Sequence, residues 1–221
     1  MLFFTATKVL AYLSKDPVIK QFQHKTGLEL LIIDSNNYDT YSKMFHNICD
    51  SAFVSKTYEM LAYDSIEVND NIGIFLYSPK TQQVVTALVI DPNATDLEQK
   101  VNNVSNLDAY HFVEIVMLCA NQHNNVPTAS YTLFNAVIDM CIFNNRPNFF
   151  LWVAQGQKNT RASAFYSKNG FTKIPDNPSA MWRINSAAKS KRTYHKHTAK
   201  YSSKKRSSKK RTNRTQKYKT I

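Results

Sequence analysis

Glycine is scarce in this chain: 221 residues include only Gly27, Gly73, Gly156 and Gly170. The glycine-rich phosphate loops G-x-x-x-x-G-K-S/T and G-x-G-x-x-G are therefore excluded, as is the nucleophile elbow G-x-S-x-G. Cysteine is nearly as rare. Cys49, Cys119 and Cys141 lie far apart among apolar neighbours with no C-x-x-C spacing, which predicts buried free thiols in a reducing compartment. The histidines His24, His46, His111, His123, His195 and His197 show no ligand spacing with Cys or acids, so no zinc site is expected. A long apolar run is missing too. The opening M-L-F-F-T-A-T-K-V-L-A-Y-L is broken by Lys8 and has no small-residue cleavage site, so neither a secretory leader nor a membrane anchor is expected. Acid is absent from the end of the chain. The last 33 residues, from Lys189, hold 14 of the 28 Lys and Arg and none of the 16 Asp and Glu; their balance of +14 leaves −2 for residues 1–188 and +12 in all. The chain reads as a near-neutral domain carrying a polycation.

The remaining sequence is 43% hydrophobic, enough for one core. Residues 1–26 are partly helical, with Val9, Leu10, Leu13, Val18 and Phe22 at a loose spacing of three to four, interrupted at Pro17. A buried strand is expected over 28–34, then helices over 38–53 and 55–64. Strands over 72–77 and 84–90 are joined by S-P-K-T-Q-Q, a hairpin connection. An Asn-rich loop follows over 91–107. Beyond it come a strand over 111–120, an amphipathic helix over 128–143, a strand over 149–154, a short helix over 160–168, and strands over 171–174 and 181–184. The order β-α-α-β-β-β-α-β-α-β-β predicts an α/β domain whose mixed, mostly antiparallel sheet is flanked by helices. The expected divisions are an N-terminal helical extension (1–27), the domain (28–188) and a disordered basic tail (189–221), which has too little apolar content to fold.

Two stretches carry chemistry. Residues 159–171, N-T-R-A-S-A-F-Y-S-K-N-G-F, follow a buried strand; Asn159 leads, Ala162, Phe165 and Tyr166 recur at helical spacing, and Gly170-Phe171 stops the helix. Residues 112–134 read F-V-E-I-V-M-L-C-A-N-Q-H-N-N-V-P-T-A-S-Y-T-L-F, an apolar strand interrupted by a single carboxylate, Glu114. Such a carboxylate is costly to bury unless paired or used, and partial desolvation suits it to take up a proton near neutrality. The two stretches resemble the cofactor motifs of the GNAT superfamily of acyl-CoA-dependent N-acetyltransferases, most nearly the branch that acetylates histone lysines, in which F-A-E-I-V precedes a loop Q/R-x-x-G-x-G/A. Aligned without gaps, that loop falls on Asn125, Thr128 and Ser130. The sequence departs from it by lacking glycine there and by placing Pro127, which has no N–H, inside it.

The resemblance implies a GNAT fold and an acetyl-CoA cosubstrate. It implies Glu114 as general base toward an amine, Tyr166 as proton donor to the departing thiolate, and strand amides that polarise the thioester carbonyl. The amides of Val126, Thr128, Ala129 and Ser130 would cradle the pyrophosphate at a helix start, and Asn159 would contact the cofactor arm. The acceptor it implies is a protein lysine. The rival expectation is a catalytically inactive scaffold of the same fold that serves as an interaction module. In the tail, S-S-K-K-R-S-S-K-K-R-T-N-R spans 202–214, a pattern that attracts phosphate backbones and also reads as a nuclear import signal. Nucleic acid or chromatin is the expected tail partner, the nucleus the expected location, and no membrane is expected.

Overall fold

The computed structural model describes residues 4–44, 48–49, 54–94, 112–121, 123–124, 126–155, 158–175 and 177–184. The basic segment 189–221, most of the Asn-rich loop and Asn125 lie outside the described residues. Strands β2 (Ile72–Ser78) and β3 (Gln83–Asp91) are buried along nearly their whole length, so both faces of the sheet they belong to must be covered. With β1 (Glu29–Ile33), β4 (Phe112–Ala120), β5 (Asn148–Trp152), β6 (Thr172–Ile174) and β7 (Asn177–Arg183) they form one seven-stranded sheet, ordered β1-β2-β3-β4-β5-β7-β6. Among the described strands only β4 and β5 pair in parallel. The reason is local: α5 (Ala129–Phe143) carries the chain back across the sheet between them, as a parallel connection requires. The architecture is the mixed, mostly antiparallel sheet with flanking helices expected from the sequence, in the element order of the resemblance.

One face is covered by α1 (Ala6–Leu13), α2 (Pro17–Thr26) and α5, whose Val9, Leu13, Ile19, Leu133, Phe134 and Val137 share a core with the inward residues of the sheet. The other is covered by the helical turn α3 (Tyr38–Tyr41) and by α4 (Lys56–Val68), which buries Ala62, Tyr63 and Ile66. The predicted helix over 38–53 is cut short. A 3-10 turn, Ser42–Met44, follows α3, where the Ser42 hydroxyl donates to the Asp39 carbonyl and competes with the helical ladder. Helix α4 outlasts its predicted end because its buried face continues through Ile66. Strand β7 begins earlier than predicted, at Asn177-Pro178, a dipeptide that lowers strand propensity in the sequence.

Strand β4 contains a bulge. Val89 lies opposite Met117, while Ile90 lies opposite Ile115, so Val116 is an extra residue. The bulge resets the alternation of side chains. Val113 and Ile115 point into the α5 core, whereas Val116, Met117 and Cys119 pack on the α4 side. The prediction of three free thiols is corrected here. Cys49 and Cys119 form a disulfide, with their Cα atoms 5.3 Å apart, and only Cys141 is free and buried. The bulge aims Cys119 at the α4 face, where buried Glu59 accepts the backbone N–H groups of Ile48 (2.8 Å) and Cys49 (3.1 Å) and holds that segment in place. A separation of 70 residues hides this proximity from any reading of spacing.

Candidate active site

Strands β4 and β5 pair only from Phe112–Ile115 with 148–151. Beyond Ile115, β4 runs on to Ala120 bonded to β3 alone, and β5 continues beside β7. A bulge bends and twists its strand, and this one sits where the two strands part. The split opens a cavity of about 330 Å³. Its walls are β4 from Ile115 to Asn121, Ser130 of α5, Trp152 and Ala154 at the end of β5, and α6 (Thr160–Lys168) with its cap Asn159. From the α4 side Val54 and Tyr58 reach in. Tyr58 donates its hydroxyl to the carbonyl of Val116 at 2.9 Å and so pins the bulge.

Helix α5 starts at the cavity, and its start is bare. Helices α1, α2, α4 and α6 are capped by the side chains of Thr5, Asp16, Ser55 and Asn159; Thr128, at the equivalent place before α5, makes no side-chain cap. The backbone N–H groups of Ser130 and Tyr131 make no hydrogen bond among the described residues, while that of Ala129 is held by the Val126 carbonyl at 3.1 Å. Two unbonded amides and the positive end of the helix dipole make such a start favourable for an anion. Thr128 has φ 68°, in the left-handed region where a β-branched residue is strained and glycine is not. The backbone therefore keeps a glycine-type geometry at the position where the resembled loop has glycine. Thr128→Gly is expected to stabilise the protein by about 1 kcal/mol, the strain released less the entropy gained by the unfolded chain. Urea denaturation would show it, and a lower midpoint would mean that Thr128 is not strained.

The hydroxyl of Ser130 lies 2.7 Å from that of Thr86, which lies 2.8 Å from the Cys119 carbonyl. That carbonyl can only accept, so Thr86 donates to it and Ser130 donates to Thr86. The proton of Ser130 is thus engaged inside the protein, and its backbone amide is what it offers a ligand. Asn121 folds the chain back after β4. Its side chain donates to the Val84 carbonyl at 2.7 Å and accepts the N–H groups of His123 (2.8 Å) and Asn124 (3.1 Å).

Tyr166 of α6 lines the cavity at 7% exposure, packed among Phe134, Phe165 and Phe171 at ring distances of 5.3 to 5.9 Å. Its hydroxyl makes no hydrogen bond among the described residues. Burial first, and the neighbouring Tyr58 second, push its pKa above the ordinary phenol value, so it stays protonated. Asn159 is buried and accepts the Ala162 N–H at 3.0 Å, which begins α6 and aims Tyr166 at the cavity. At the other end of α6, Gly170 takes φ 84° and the Phe171 N–H returns to the Tyr166 carbonyl at 3.1 Å, which ends the helix where the sequence predicts.

Glu114 is also buried, at 7% exposure, one residue before the cavity wall begins. It stands opposite Asp91 of β3 and Phe150 of β5, on the face away from Val113 and Ile115. The structure thus brings Tyr166, Asn159 and Ser130 to one cavity; Glu114, Val126, Thr128 and Ala129 are not among its lining residues, Glu114 preceding the β4 wall by one residue and the other three standing before or at the start of α5. Sequence reasoning missed Tyr58, Asn121, Trp152 and Arg161. Arg161 is an exposed cation on the cavity wall inside the predicted motif, but exposure gives it no periodic signal. Tyr58 and Asn121 act through partners distant in sequence.

No protein-family model and no curated protein sequence matches this chain. Among solved structures it is similar to the PaiA N-acetyltransferase of Thermoplasma acidophilum in complex with coenzyme A, with 12% identity over 71% of this chain and 99% of that one and a TM-score of 0.46. It is similar to a GNAT-family acetyltransferase of Staphylococcus aureus, with 14% identity over 71% and 98% and a TM-score of 0.47. It is similar also to the ribosomal-protein-S18-alanine N-acetyltransferase of Escherichia coli, with 10% identity over 71% and 92% and a TM-score of 0.46.

Burial holds two further groups protonated in the native state. The pKa of Tyr63 is raised by burial and then by Glu59; that of Cys141 is raised by burial, against a lowering by Arg146. In the unfolded chain such groups ionise at about pH 8.5 to 10. Below that range both states carry the protons and stability is unaffected. Above it the unfolded chain sheds protons that Tyr63, Tyr166 and Cys141 retain, and stability falls by up to about 1.4 kcal/mol per pH unit for each group. Urea midpoints at about pH 7 and about pH 10.5 should show this loss; equal midpoints would mean the groups ionise alike in both states.

Proposed function

We propose that this chain is an N-acetyltransferase that transfers acetyl from acetyl-CoA to an amine, with a protein lysine as acceptor. The observation that carries the reading is the Tyr166 hydroxyl, a buried, protonated phenol in a cavity wall with no hydrogen-bond partner among the described residues. Asn71 Oδ1 is the one buried side-chain polar atom without a partner among the described residues, so the Tyr166 hydroxyl reaches the cavity, where a ligand can accept its hydrogen bond. The surroundings fit a phosphorylated thioester with an amide-bearing arm. The bare start of α5 suits phosphate, the edge of β4 beyond Ile115 offers peptide groups to amides, and the split has room for an arm passing between the strands.

When bound, acetyl-CoA supplies an acyl group on a thiolate leaving group. The residues of this chain do the rest. The Ser130 and Tyr131 amides hold the anionic end, with Arg161 on the same wall. Backbone N–H groups of β4 at the bulge, fixed by the Tyr58 bond to Val116, face charge that develops on a carbonyl oxygen. Glu114 takes up the proton that an ammonium must lose before it can attack. Tyr166 holds a proton ready for a thiolate, a base of similar strength to an ordinary phenolate. In the same reading the segment 189–221 brings the domain to nucleic acid or chromatin in the nucleus, through its 14 cationic side chains.

The test is calorimetric titration of the full chain with acetyl-CoA, repeated with desulfo-CoA. Micromolar affinity for both is expected. No binding at millimolar cofactor would overturn the reading and leave an inactive scaffold whose chemistry lies in the basic segment.

A further inference from the structure

The cavity contains a reactive group that acetyl transfer does not use. Cys119 is part of its β4 wall and is half-buried, while its disulfide partner Cys49 is 2% exposed beneath α4. The two sulfurs are thus unequally accessible. The backbone on the Cys49 side is clamped by the Glu59 carboxylate through two N–H bonds, so that sulfur stays in the core whether or not it is bonded to Cys119. Of the two half-cystines, Cys119 is the one in the cavity wall, so a thiol that enters the cavity approaches the bond from its side.

We propose that Cys119 is a thiol-exchange site in the cavity wall, which takes a small thiol as a mixed disulfide at the expense of the Cys49–Cys119 bond. The incoming thiolate attacks Sγ of Cys119. A new S–S bond forms there, the bond to Cys49 breaks, and Cys49 leaves as a thiolate that takes up the proton the incoming thiol gave up. One disulfide is consumed and one is formed, so no outside oxidant is needed. The adduct fills the space in which the thioester would lie and closes the cavity to it until a dithiol reverses the exchange. The site itself does not depend on the acetyltransferase reading; only the choice of CoA as the favoured thiol rests on it, because CoA would be held with its sulfur near this wall.

The oxidised full chain should be incubated with CoA, with glutathione and with CoA plus excess desulfo-CoA, then alkylated and analysed by intact mass and peptide mapping. The expected result is one CoA per chain on Cys119 with Cys49 alkylated, reversed by dithiothreitol and suppressed by desulfo-CoA. It should form about tenfold faster than the glutathione adduct at equal thiol, because a bound thiol has a high local concentration. Cys49→Ala, which leaves Cys119 as a free thiol, should take the same adduct from CoA disulfide. Calorimetric CoA binding with no adduct on Cys119 would overturn the proposal and leave the acetyltransferase reading standing. A glutathione adduct on Cys119 in a chain that does not bind CoA would keep the exchange site and remove that reading. Adducts found on Cys141 alone would overturn the site.

Discussion

Glu114→Gln is expected to lower turnover by roughly 10²- to 10⁴-fold, the range that a positioned general base contributes, with acetyl-CoA affinity unchanged. The argument begins with strand alternation. Val113 and Ile115 point into the α5 core, so Glu114 between them points to the other face, where the α4 layer and the bulged part of β4 lie. There it is buried, one residue before the part of β4 that lines the cavity. Glutamine keeps the shape and the polarity but cannot take a proton from an ammonium. The substitution should not unfold the protein. Glu114 lies directly opposite Asp91 across the antiparallel β3–β4 ladder, and glutamine, of the same shape, keeps the packing of that ladder. Steady-state rates, calorimetry and a thermal melt together separate the outcomes. A low rate with unchanged affinity and a folded variant supports the role; an unchanged rate removes it.

What the sequence made legible was the local part of the molecule. The Asn159 cap, the Ala162–Tyr166 face and the Gly170 stop are set within thirteen consecutive residues, and the structure builds α6 from them. The apolar strands and the amphipathic α5 were readable for the same reason. What was not legible depends on pairing across the chain. The bulge at Val116 comes from the register of β4 against β3, and nothing in E-I-V-M-L announces it. The Tyr58 bond to that bulge joins residues 58 apart, and the Cys49–Cys119 disulfide needs the bulge to aim Cys119. The loop before α5 illustrates a subtler failure. Its residues depart from the resembled loop by threonine for glycine, yet Thr128 adopts the left-handed geometry and α5 starts uncapped. Residue identity there reported the cost of the conformation, not its absence.

Tyr166→Phe should lose activity and keep its stability, a pairing that separates a catalytic hydroxyl from a structural one. The ring is held by Phe134, Phe165 and Phe171, and phenylalanine keeps all three contacts. Only the oxygen is lost. It reaches the cavity and makes no hydrogen bond among the described residues, so its removal should leave stability nearly unchanged. If the hydroxyl protonates the departing thiolate, single-turnover acetyl transfer should slow by about 10²-fold, the low end of general-acid effects, because a thiolate is already a fair leaving group. Affinity for desulfo-CoA should stay the same, since the packing around the cavity is unchanged. The pH profile sharpens the test. Burial and Tyr58 hold the phenol protonated above its ordinary range, so the wild-type rate should not decline through the region where a free tyrosine ionises. A variant that is both slower and less stable would mean the hydroxyl braces the fold. A variant that is equally stable and equally fast would mean that the thiolate leaves without it, and that water or the acceptor supplies the proton.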